Sequence, residues 1–181
     1  MAPFVGRALK AVRAGESKLS WTNPDLRGPE TITLSSPVFA ADGSIPQRYA
    51  GRGVGDNISP PLAWTGVPSG AAELVLIIED ADAPLPRPFV HCTAHGIPAD
   101  LDGLAEGALS AATASPRIKI ARAYVGPRPV RGHGPHRYSF QIFALGTAAG
   151  LPVKVSLKHL IAAASGHVIS RGRLDGWFEL S

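Results

Sequence analysis

The sequence holds a single cysteine, Cys92, so an intrachain disulfide is excluded and a reducing compartment is the simpler expectation. No apolar run approaches the roughly 18 residues that a membrane span requires. In the first nineteen residues Arg7, Lys10 and Arg13 interrupt every apolar stretch, so the h-region of a secretory leader is missing. These absences predict a soluble, cytoplasmic protein. Catalytic signatures are absent too: there is no G-x-S-x-G elbow, no H-E-x-x-H, no phosphate-binding G-x-x-x-x-G-K-[ST] and no C-x-x-C. The expectation is therefore a protein that is not an enzyme and carries no cofactor and no metal. A folded basic patch is also lacking. Arg7, Lys10, Arg13 and Lys18 stand against Glu16 alone at the N-terminus, so most of the net charge of +4 lies there, and nucleic acid is not expected as a partner.

What is present is enough for one core. Apolar residues make up 45% of 181, and a chain of this length buries roughly 70% of its unfolded surface on folding. Residues 1–18 read as a basic helical extension, with Phe4, Ala8 and Val12 at helical spacing over 4–13 and Gly15 as a stop. Residues 19–181 read as one mainly β domain. Strands are predicted over 30–39, 71–78, 87–97, 137–145 and 167–180, and the continuous apolar run 71–78 predicts a central strand covered on both faces. A second helix is predicted over 156–165, opened by Ser156 as N-cap and closed by Gly166. The segments 51–62, 80–88 and 124–138 are too rich in proline and glycine for ladder positions and predict shaped loops.

These loops adjoin the residues that can carry chemistry. Asp80 and Asp82 end an apolar run with the same parity and share one face if the strand continues; alone they also fit a turn. On 87–97, alternation places Phe89, His91, Thr93, His95 and Ile97 on one face and Cys92 on the other, which argues against a Cys/His nucleophilic pair. His95 fits a satisfied core histidine. On the strand from 137, alternation places His136, Tyr138 and Phe140 together, and the preceding Gly132–Pro135 can expose backbone N–H groups as an anion nest. Imidazoles, a phenol and free amides suit phosphate or carboxylate oxygens. Prolines 60, 61, 84, 86, 88 and 135 surround this region, and at least one is expected to be cis.

Five blocks, DNISPPLAW (56–64), DADAP (80–84), FVHCTAHGIPAD (89–100), GHGPHRY (132–138) and GHVISRGRLDGWF (166–178), occur in an order and spacing that resemble the phosphatidylethanolamine-binding protein family, above all its bacterial and archaeal, Raf kinase inhibitor protein-like branch. The resemblance covers about residues 30–180. It implies an antiparallel β-sandwich with a few peripheral helices and a small anion pocket for phosphate, acetate or a phospholipid head group. By motif it assigns that pocket to Asp80, Asp82, Pro84, Phe89, His91, Gly134, Pro135, His136 and Tyr138. Ala81 replaces the family's usual proline, Phe89 stands where tryptophan is common, and His95 and Gly96 replace Val-Asn.

Three functions compete. The same acids, histidines and tyrosine could serve a hydrolase or a metal-dependent enzyme, with loop serines such as Ser59 and Ser69 as nucleophiles. The resemblance also implies an inhibitor or modulator of a protein kinase or protease, engaging its partner through loop 124–135. A homodimer is compatible with the sequence. A non-enzymatic binding protein fits best.

Overall fold

The computed structural model describes residues 3–110 and 115–180. In chain order they form helix α1 (Pro3–Ala8), strands β1 (Thr33–Ser35), β2 (Gly43–Ser44), β3 (Leu62–Thr65), β4 (Glu73–Asp80), β5 (Phe89–Ile97), β6 (Gly103–Leu104), β7 (Lys119–Arg122) and β8 (His136–Leu145), helix α2 (Leu157–Ala164) and strand β9 (Val168–Phe178). Single 3-10 turns at Glu16–Lys18, Ser20–Thr22, Pro24–Leu26 and Gln47–Tyr49 fill the connections.

Six strands make one sheet in the order β2-β9-β8-β4-β5-β7, and three make a smaller one, β1-β3-β6. Every ladder is antiparallel except the short β2–β9 pair. Period-2 alternation sends Leu76 and Ile78 of β4, Phe140 and Ile142 of β8 and Leu174 of β9 to one face, where they meet Leu34, Leu62, Trp64 and Leu104 of the small sheet. The result is an antiparallel β-sandwich. The opposite face of the large sheet carries Val75, Ile77, Phe143 and Leu145 and is covered by Leu160 and Ala164 of α2 and by Leu26. All eight residues of β4 are buried, as a strand sandwiched on both sides requires. Truncating Ile77, 0% exposed, to alanine would cost about 2 to 5 kcal/mol.

Several local expectations hold and several do not. The Ser156 hydroxyl accepts from the His159 backbone N–H and caps α2, and Gly166 takes a φ of 75° beyond its end. The strand expected over 30–39 shortens to β1, because Ser36 and the residues after it turn away toward Pro61. Part of the loop expected over 51–62 feeds directly into β3. The helix expected over 4–13 ends at Ala8, because the carbonyls of Leu9 and Val12 turn onto His133. Prolines 60, 61, 84, 86, 88 and 135 all follow trans bonds, so the expected cis proline is not found and the loops hold their shapes without one. No described helix is long and apolar enough to cross a membrane.

Candidate functional site

The ends of β4, β5 and β8 meet at one edge of the sandwich, and the loops beside them close around a cavity of about 450 Å³. That volume lies in the range of small-molecule sites. Asp80, the last residue of β4, pairs in register with Tyr138 of β8, which places His136 diagonally adjacent on the same face. The Asp80 carboxylate accepts twice: Oδ2 from His136 Nδ1 at 2.8 Å and Oδ1 from the Asp82 backbone N–H at 2.8 Å.

His91 arrives by a different route. Ile78 pairs with Cys92 and Glu79 with Val90, so His91 is the extra residue of a bulge; a second bulge, with Gly96 at a φ of 59°, separates Ala94 from Ile97. These irregularities break the alternation expected for this strand. Cys92, Ala94 and Ile97 all join the inter-sheet core, and His91 sits on that same side with its ring 5.0 Å from Tyr138, edge-on. His91 and Cys92 therefore do not point apart. Cys92 is sealed in the core, and burial pushes its thiol up to about 12, so it still offers no nucleophile. His95 is buried away from the cavity, on the outer side of the sheet beside Lys119.

The His91 ring is fixed by Val125. Its Nδ1–H donates to the Val125 carbonyl, and the Val125 N–H donates back to the His91 carbonyl at 2.9 Å. Burial holds the imidazolium form below the ordinary histidine range, against the opposing pull of the Val125 carbonyl and Asp80. A neutral ring protonated at Nδ1 leaves Nε2 as an acceptor. Tyr138 is 1% exposed and its hydroxyl has no partner among the described residues; burial, then the Asp80 charge, push its ionisation far upward, so it remains a hydroxyl with a proton to give. Phe89 packs edge-on against His91, under the Arg122 guanidinium.

Asp80, Pro84, Phe89, His91, His136 and Tyr138 thus line one cavity. Asp82, Gly134 and Pro135 do not. β4 stops at Asp80, so parity no longer governs Asp82; its carboxylate pairs with Arg13 at 2.8 Å and accepts from the Arg137 backbone N–H. Pro135 gives its carbonyl to Arg13, and both residues wall a separate surface hollow with Trp177. Gly132 and Gly134 do take positive φ values, yet the N–H of Gly132 bonds to Leu180 and that of His133 to Val130, so no open anion nest forms. His136 also differs from expectation: Nδ1 is bound to Asp80 and Nε2 lies 2.6 Å from His133 Nδ1, so neither ring nitrogen is free for a ligand.

Arg52, Asn57 and Arg128 were not expected in the site. The Asn57 side chain, on a residue at a φ of 57°, accepts from Gly126 N–H and ties loop 51–57 to loop 125–130. Arg128 donates to the Arg52 carbonyl, and both arginines line the cavity. The available signal was an arginine set among glycines in GRGVG and another among prolines in GPRPV. Among the described residues no group of three or more histidine, cysteine, aspartate or glutamate side chains is placed to hold a metal ion. Neither Ser59 nor Ser69 lines the cavity, and the Ser59 hydroxyl accepts from Leu109 N–H. The site thus combines two arginines, a phenol with no partner among the described residues, an imidazole acceptor and apolar walls from Pro84, Leu85, Val125 and Val130.

A family model described as phosphatidylethanolamine-binding protein matches residues 35–179. Among similar proteins, UPF0098 protein PH1269 of Pyrococcus horikoshii is 37% identical over 161 residues, covering 84% of this chain and 79% of its own. UPF0098 protein Mb1945c of Mycobacterium bovis is 34% identical over 176 residues, covering 95% of this chain and 80% of its own. That match reaches into the N-terminal extension. Of solved structures, the phosphatidylethanolamine-binding protein homolog CT736 of Chlamydia trachomatis superposes with a TM-score of 0.74 at 28% identity, covering 84% of this chain and 99% of the other. Escherichia coli YbcL, at 24% identity and a TM-score of 0.75, covers 83% and 99% and shows the shared fold.

Proposed function

The chain belongs to the phosphatidylethanolamine-binding protein family, and from that premise we propose that it is a non-enzymatic, cytoplasmic binding protein whose cavity takes a phosphate-type group, free or as a phospholipid head group. The observation that carries this reading is the Tyr138 hydroxyl, buried with no partner among the described residues, on a residue that lines the cavity together with His91, Arg52 and Arg128. A buried hydroxyl without a partner costs about 1 to 3 kcal/mol, which a bound oxygen would recover. A phosphate monoester monoanion matches the set: its ionised oxygens accept from Tyr138 and the arginines, and its P–OH donates to His91. Acetate and a phosphodiester head group, neither of which has such a proton, fit only the accepting part. A hydrolase reading lacks a serine, threonine or cysteine nucleophile among the described residues that line the cavity.

Calorimetric titration with O-phosphoethanolamine tests the reading on wild type and Tyr138→Phe. Loss of one hydrogen bond to a charged group should weaken binding roughly 10- to 150-fold. Equal affinity in both proteins, or no binding in either, contradicts it.

A modulator role is supported by one feature. Val125, Gly126, Arg128, Pro129 and Val130 line the cavity and lie within loop 124–135, the surface proposed for a kinase or protease partner, so ligand and partner would compete for it. The carboxypeptidase Y inhibitor, solved in complex with its cognate proteinase, shares this fold at 17% identity and a TM-score of 0.54. Competition between O-phosphoethanolamine and a protease in an inhibition assay tests this role; no inhibition with or without ligand contradicts it.

A further inference from the structure

The Asp80–His136 pair is the inner end of a longer line. His136 Nε2 faces His133 Nδ1 at 2.6 Å, and His133 Nε2 lies 2.8 Å from the Leu9 carbonyl and 3.2 Å from that of Val12. His133 is 0% exposed and His136 1%, so water does not stand in for any of these partners.

The protons can be counted. A carbonyl oxygen only accepts, so His133 Nε2 carries a proton toward Leu9. One proton lies between the two rings, and one between His136 Nδ1 and Asp80. Three links need three protons, whereas two neutral imidazoles supply two. We propose that Asp80, His136 and His133 share this additional proton, and that it fastens the N-terminal segment, residues 9–14, across the wall of the cavity as a pH-dependent strap. The cluster then has no net charge, one carboxylate balancing one imidazolium, which suits its burial.

Loss of the proton leaves two lone pairs facing each other at one link. Asp80 and His136 are held in the large sheet, so the link that yields is the one to the turn at Leu9 and Val12. The helix α1 that precedes the segment lies close against the body: a Cβ at Gly6 would stand 2.0 Å from the Arg131 carbonyl. Farther along, Arg13 pairs with Asp82, and the Ala14 and Gly15 N–H groups bond to the carbonyls of Ala83 and Ala81. Those contacts keep the strap attached at its inner end while the outer end lifts. Of the other titratable and charged groups around the cluster, His91 and Tyr138 line the cavity with Asp80 and His136, Arg13, Asp42, Asp82, Arg137 and Glu179 wall the outer hollow with His136, and Lys10 lies beside Gly134; none lies within the hydrogen-bonded line. Ala83, Val130 and His136, which the strap touches or adjoins, also line the cavity, but the inference does not depend on what the cavity binds.

The test uses a fluorophore on Ala8→Cys, an exposed position; buried Cys92 stays unlabelled. Its anisotropy should fall as pH rises from 5.5 to 9, reporting the lifted strap. In Asp80→Asn the amide can donate to His136 Nδ1 while its oxygen still accepts from Asp82, so all three links form with neutral rings and the anisotropy should stay high throughout. Should that variant fail to fold, His133→Gln gives the same reading, since its amide donates to Leu9 at every pH. Long-range 1H–15N spectra of the wild type at pH 5.5 should show three protonated nitrogens across the two rings. A flat wild-type profile, an equal fall in the foldable variant, or only two protonated nitrogens would overturn the proposal.

Discussion

Asp80 Oδ2 and His136 Nδ1 lie 2.8 Å apart, with both side chains almost wholly buried, on neighbouring strands two positions out of direct register. His136 is therefore part of the wall that shapes the site, and its contribution is structural. Truncating it strands the Asp80 carboxylate and removes the partner of His133. His136→Ala should lower stability by about 3 to 5 kcal/mol, the usual cost of breaking a buried pair by deleting one member. Chemical denaturation measures this; a loss below about 1 kcal/mol would place the pair among interactions of surface strength.

Tyr138→Phe should behave in the opposite way. Its hydroxyl has no partner among the described residues, so deleting it removes a desolvated group. Thermal unfolding of the unliganded variant should match or exceed that of the wild type, in contrast to its weakened binding of O-phosphoethanolamine. A clear drop in melting temperature would mean that the hydroxyl already has a structural partner.

Binding of an aprotic dianion should be coupled to protonation. His91 Nε2 is an acceptor at neutral pH, so sulfate, which has no proton to give, requires that nitrogen to be charged first. Sulfate affinity should rise as pH falls from 8 to 6, with close to one proton taken up per sulfate in calorimetry across buffers of different ionisation enthalpy. Zero uptake, with pH-independent affinity, would separate His91 from the anion.

The same group has a stability signature when the cavity is empty. Burial depresses the folded-state value of His91, so its contribution is complete above the ordinary histidine value of about 6.5 and is lost as pH falls from there toward the folded value. The slope is at most about 1.4 kcal/mol per pH unit. His91→Gln should flatten that part of the profile, and an unchanged slope would assign it elsewhere.

Glu79 has the reverse sign. Burial raises its folded value, although the Ser20 N–H and the Gln141 amide oppose the shift, so its stabilising contribution is present below the unfolded value and declines as pH rises through the folded one. Glu79→Gln keeps an oxygen to accept from both donors and removes the charge. The variant should unfold at a higher temperature than the wild type at pH 8 and show little advantage at pH 4; no difference at pH 8 would contradict the assignment.

Much of the architecture was legible because its signals are local. The apolar run 71–78 marked a strand covered on both faces, and Ser156 and Gly166 marked the bounds of α2. Asp80, His91, His136 and Tyr138 were legible as motif residues, and the structure gathers them. Asp82 was misplaced because parity was carried past the end of β4. His91 was set apart from Cys92 because alternation does not register a bulge. His133 and Arg13 were not legible as members of the site, since the Leu9 carbonyl lies 124 residues from His133 and the Pro135 carbonyl 122 residues from Arg13, and only the folded chain brings them together.

The measurement that bears most directly on the cavity as an anion site is an NMR titration with inorganic phosphate that follows the ring resonances of His91 and Tyr138. Both should shift saturably with a single dissociation constant, and His91 should show protonation or a new hydrogen bond at Nε2. Saturating phosphate that leaves both rings unmoved while surface residues respond would contradict the assignment.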